Sequence, residues 1–95
     1  MVNPIPLVMA ALRAPSGDNC QPFRYRWDGH ALEVVHVAAR AYHVLDSGHH
    51  PSRLTLGMIL ESVAIAAAAQ GLAAHGALLP AHADAPWLRI TFTPA

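Results

Sequence analysis

The chain has 95 residues, enough for one domain with a modest core. Apolar residues make up 54% of it and charged ones 13%, a composition that predicts surface buried against a second copy or a complementary partner chain. Six arginines balance six acids with no lysine and no basic run, which argues against nucleic-acid binding by phosphate neutralisation.

Compartment follows from what the chain lacks. Cys20 is the only cysteine, so no internal disulfide can form, as suits a reducing compartment. Met1 to Leu12 has no basic stretch and carries Pro4 and Pro6, unlike a signal peptide. The longest apolar run, Leu54 to Ala69, is interrupted by Thr55, Gly57, Glu61 and Ser62 and is too short for a membrane span. The expectation is a soluble cytoplasmic protein, organised as a single domain over 1–95.

Pro6 to Arg13 reads as a short helix, because Leu7, Val8, Ala11 and Leu12 share a face at three- and four-residue spacing and proline is tolerated in a first turn. Pro15 ends it. The stretch from Ala14 to Phe23 then concentrates two prolines, a glycine and short polar side chains. Pro15 and Pro22 stiffen their own backbone and that of the preceding residues, while Gly17, Asp18 and Asn19 tolerate tight turns. Ser16, Asn19 and Gln21 would thus stand on a stiff loop with groups that donate and accept, suited to a flat polar ligand. On the residues alone, a turn that satisfies only its own backbone stands equally open.

Phe23-Arg24-Tyr25-Arg26-Trp27 alternates aromatic with basic, the period of a strand. Asp28-Gly29 reads as a two-residue hairpin turn, which predicts Trp27 opposite His30, Tyr25 opposite Leu32, Phe23 opposite Val34 and Arg24 opposite Glu33. Phe23, Tyr25, Trp27, Leu32 and Val34 then share a core face, flanked by His30 and His36 as sheet-edge residues. Base stacking by the aromatic trio is the weaker alternative, since the arginines point the other way.

Ala38 to His50 has no clear period and a loop-like end. Ser52 is the expected N-cap of a helix from Arg53 to about Gln70, with Gly71 just past its end. That helix is apolar nearly all round and should therefore be buried nearly all round; its four consecutive alanines make it the expected contact with a second copy or a partner chain. Leu72 to Leu79 allows a short strand. Ala81 to Pro86 reads as loop, and Trp87 to Thr93 as a strand with Leu88, Ile90 and Phe92 on one side and Pro94 as its stop. No internal repeat is visible.

The loop, read as Ala-Pro-Ser-x-x-Asn-x-Gln-Pro-Phe, resembles the flavin-contacting loop of the nitroreductase family, in particular its divergent Acg-like branch. Leu56 to Leu72 resembles that family's long central helix with its closing Gly-Leu. Leu78-Leu79-Pro80 and Asp84 to Ile90 resemble the strands that finish the first half of such proteins. The resemblance spans nearly all of this chain and about half of a family member. It implies an α+β, nitroreductase-like N-terminal half-domain, with an antiparallel hairpin and further strands packed on a long buried helix. It also implies an FMN-dependent, NAD(P)H-using oxidoreductase whose flavin site is completed by a dimer or a partner chain. Pro15, Ser16, Gly17, Asn19 and Gln21 would touch the FMN.

The family's usual Arg-x-Ser segment near the N-terminus has no counterpart, so Arg13 is the candidate for the phosphate and Arg53 a distant second. No catalytic acid or base is called for, because flavin carries the redox chemistry. A non-catalytic interaction or dimerisation module that has lost flavin is the competing expectation. Seven histidines raise a metal site, yet His43, His49 and His50 lack the spacing of zinc ligands, and no metal is expected. Cys20 has no neighbouring base that would make it a nucleophile.

Overall fold

The structure, a computed structural model, describes residues 2–13, 23–37, 50–80, 82 and 84–95, with backbone alone for 50–54. Among the described residues, two helices and four strands follow one another as α1 (Pro4–Leu12), β1 (Phe23–Trp27), β2 (Ala31–His36), α2 (His50–Ala68), β3 (Leu72–Leu78) and β4 (Pro86–Pro94). The fold is α+β, as the sequence predicts.

Capped by Asn3, α1 starts at Pro4, two residues before the predicted Pro6. The Asn3 backbone is extended and its side chain accepts the Ile5 N–H at 3.2 Å. Pro4 follows at a position where a missing N–H costs nothing, because the first turn leaves its donors unbonded anyway. Leu7 and Ala11 are buried and Val8 half-buried, but Leu12 is exposed, so the predicted stripe stops one residue short.

The β1–β2 hairpin keeps the predicted faces with a different register. Asp28 Oδ1 accepts the N–H groups of His30 and Ala31, each at 2.8 Å, and Asp28 N–H donates to Ala31 O at 3.3 Å. The central turn residues are therefore Gly29 and His30, with Gly29 at φ +96°, a left-handed backbone that only glycine adopts cheaply at the first turn position. Trp27 lies opposite Leu32 rather than His30, Tyr25 opposite Val34 and Phe23 opposite His36. Arg26, not Arg24, faces Glu33, and Arg24 faces Val35. The slip is two residues, an even number, so no side chain changes face.

All four strands are antiparallel in the order β1-β2-β4-β3, with β2 and β4 central. α2 carries the chain from β2 across to β3, and β4 returns between them. Among the described residues the succession helix–strand–strand occurs twice, while the sequence shows no internal repeat. One core joins Leu7 and Ala11 of α1, Leu56, Ile59, Val63 and Ala67 of α2, and Phe23, Leu32, Val34, Leu88 and Ile90 of the sheet.

β4 departs from simple alternation. Val34 pairs with Leu88 but Val35 with Pro86, which leaves Trp87 as an extra residue on β4. This bulge turns Trp87 onto the same side as Leu88, where it is 2% exposed. His36 stacks on it with ring centroids 4.1 Å apart, so His36 is a buried core residue and not the sheet-edge residue predicted.

α2 begins at His50, with Pro51 and Ser52 inside its first turn; Ser52 is not the N-cap. The helix ends at Ala68, and Gly71 follows with φ +72°. Gln70 clasps the start of α1 to this end: its Oε1 accepts Asn3 N–H at 3.0 Å and its Nε2 donates to Asn3 O at 2.9 Å. Burial of α2 is one-sided. Leu56, Ile59, Val63 and Ala67 face the core, while Gly57, Met58, Glu61 and Ile65 are exposed. Among the described residues, no helix is long and apolar enough to cross a membrane.

Candidate functional site

Segment 14–22 joins the last turn of α1 to the first residue of β1. The residues expected to touch a flavin, Pro15, Ser16, Gly17, Asn19 and Gln21, lie outside the described residues, as does Cys20. What the structure gives is the frame on either side of them, together with Arg13.

On the α1 side, Arg13 closes the helix, with its N–H bonded to Ala10 O at 3.2 Å. It is exposed and makes no ion pair among the described residues. The end of α1 is pinned to the sheet by Tyr25, whose hydroxyl donates to Ala11 O at 3.4 Å. Burial pushes that hydroxyl up to about 12, so it stays a donor through the physiological range.

On the β1 side, Phe23 is 3% exposed. Its ring meets Trp87 edge-on at 5.9 Å and His36 at 5.8 Å, closing a triangle of three rings. Trp87 Nε1 donates to His82 O at 2.8 Å, which ties the triangle to the turn before β4. Both ends of the segment are therefore set on packed elements.

The opposite end of the α1–β1 pair holds a feature that sequence reasoning did not anticipate. Pro4, Ile5, Val8, Met9, Tyr25 and Trp27 line an apolar groove of about 290 Å³. Ile5 is 69% exposed; with Met9 it lies one turn apart on the side of α1 away from the core, which is the signal that could have revealed it. The groove's lining side chains carry two polar groups, the Tyr25 hydroxyl, bonded to Ala11 O, and the Trp27 indole N–H, so it suits a mainly apolar group.

The outer face of the sheet carries charge. Arg26 Nε donates to Glu33 Oε1 at 2.8 Å, Arg89 Nη1 to Glu33 Oε2 at 3.1 Å, and Arg89 Nη2 lies 3.1 Å from Asp28 Oδ2. Arg26, Glu33, Arg89 and Asp28 are thus mutually paired across β1, β2 and β4 and brace the sheet. Among the described residues, no three metal-ligating side chains gather; His43 and His49 lie outside them.

Of the residues expected to contact FMN, only Arg13 lies among the described ones, as an exposed guanidinium at a helix C-terminus, which adds no attraction for an anion. No protein-family model and no curated protein matches this chain.

Proposed function

We propose that this chain is the flavin-contacting half of an FMN-dependent, NAD(P)H-using oxidoreductase of nitroreductase type, completed by a second copy or a complementary partner chain. The support is positional: the polar, proline-braced segment 14–22 starts from a helix end fixed by the Tyr25–Ala11 bond and finishes in the Phe23–His36–Trp87 triangle. In this proposal Asn19 and Gln21 bond the edge of the ring, with Ser16 and the backbone of Pro15 and Gly17 beside them, and Arg13 pairs with the phosphate. Bound flavin supplies the hydride chemistry. The chain's own task is to bind and orient, in the reducing setting of the cytoplasm.

The purified protein should be yellow, or should quench FMN fluorescence on titration. Asn19→Ala and Gln21→Ala should each weaken FMN binding about tenfold, the loss of roughly one hydrogen bond to a buried acceptor. Arg13→Ala should weaken FMN and leave riboflavin, which has no phosphate, unchanged. A colourless protein that ignores added FMN would refute the proposal in favour of a non-catalytic interaction module. The exposed apolar side of α2 is the observation that favours that second reading.

A further inference from the structure

We infer that β3 is a self-pairing edge: two copies of this chain join β3 to β3 in antiparallel fashion, making one continuous sheet with the helices of both copies on the same face. The two edges of the sheet differ in kind. β1 carries Arg24 and Arg26, exposed charges of the type that keep an edge from pairing. β3, Leu72-Ala73-Ala74-His75-Gly76-Ala77-Leu78, has no charged residue and no proline; from His75 to Leu78 it is exposed, with Leu78 at 77%.

Backbone geometry says which groups are on offer. Leu79 N–H bonds Trp87 O at 3.0 Å and Ala95 N–H bonds Gly71 O at 2.9 Å. Bonding alternates along an antiparallel ladder, so odd-numbered residues here face β4, while Leu72, Ala74, Gly76 and Leu78 turn their N–H and C=O groups outward.

The strand's sequence then selects its occupant, because it is nearly palindromic about His75. A two-fold axis through His75, normal to the sheet, sets Leu72 against Leu78, Ala73 against Ala77 and Ala74 against Gly76 of the second copy. The outward-turned residues pair with each other, each pair exchanging two bonds, and no small residue meets a large one. Above the sheet, Leu60 covers Gly76 so closely that an added Cβ would sit 2.7 Å from it. Its helical neighbours Gly57 and Ala64 are small, and the exposed Glu61 lies one turn beyond Gly57.

Seven residues at ~3.3 Å each, with roughly 20 Å of combined sheet and helix depth, give ~450 Å² per copy and ~900 Å² in total. That is below the roughly 1,000 Å² expected of a stable interface, so the dimer is a weak and transient one. The inference stands whether or not flavin binds.

The test uses the full chain with Cys20→Ser as background. Sedimentation velocity should show a monomer–dimer equilibrium that shifts between low micromolar and millimolar protein. Under mild oxidation His75→Cys should cross-link as a dimer, since residue 75 faces its own copy, whereas Ala77→Cys should not, since residue 77 faces Ala73. Both positions lie on the exposed outer face, so neither change threatens folding. A monomer at every concentration overturns the inference, and so does a dimer in which 75 fails to cross-link or 77 cross-links equally well.

Discussion

Asp28 shows how one side chain can decide a register. Its carboxylate takes two backbone N–H groups and lies beside Arg89. The bonds from Ala31 and then His30, helped by Arg89, hold it at about 2, below the ordinary 3.8. A carboxyl depressed in the folded state adds stability that is complete above its unfolded value and is lost as pH falls through the folded one. The melting temperature should therefore fall between about pH 4 and pH 2, and in Asp28→Asn that decline should flatten. An equally steep acid limb in the variant would mean that other carboxyls set the acid sensitivity.

At the scale of elements, the β4 bulge does the most. Without it Trp87 would point away from the core and the Phe23–His36–Trp87 triangle would not form. Truncating so large a buried ring removes its transfer energy and leaves a cavity, so Trp87→Ala should cost about 3–5 kcal/mol in denaturant unfolding. Alternation predicts Leu88, Ile90 and Phe92 on one side, and they are there. It cannot predict Trp87, because a bulge arises from pairing with a strand some fifty residues away and leaves no local mark. The hairpin teaches the companion lesson: its faces follow from the two-residue period, while its register waits on which atoms Asp28 bonds.

For the molecule as a whole, the described helices and strands share one core, and α1 belongs to it as fully as the sheet does. Leu7 is fully buried, so Leu7→Ala should cost about 2–5 kcal/mol while leaving the denaturant slope unchanged, the sign of a single cooperative unit. A biphasic transition, with α1 lost first, would contradict a shared core. The exposed side of α2 and the bare edge of β3 are the complement to that core: apolar surface that one copy of the described residues leaves uncovered.

The order and kind of the elements were written in the residues, because hydrophobic periods of two and of three to four act locally and Pro15, Gly29 and Gly71 punctuate them, while the helix starts at Pro4 and His50 were not. The polar character of segment 14–22 was equally legible, as was the apolar excess of α2. Tertiary structure alone decided the strand order, the two-residue shift at Asp28, the inward turn of Trp87 and the burial of His36. The strand order, Trp87 and His36 depend on contacts between residues distant in the chain, whose energies no local pattern encodes, and the shift at Asp28 on which nearby N–H groups its carboxylate takes.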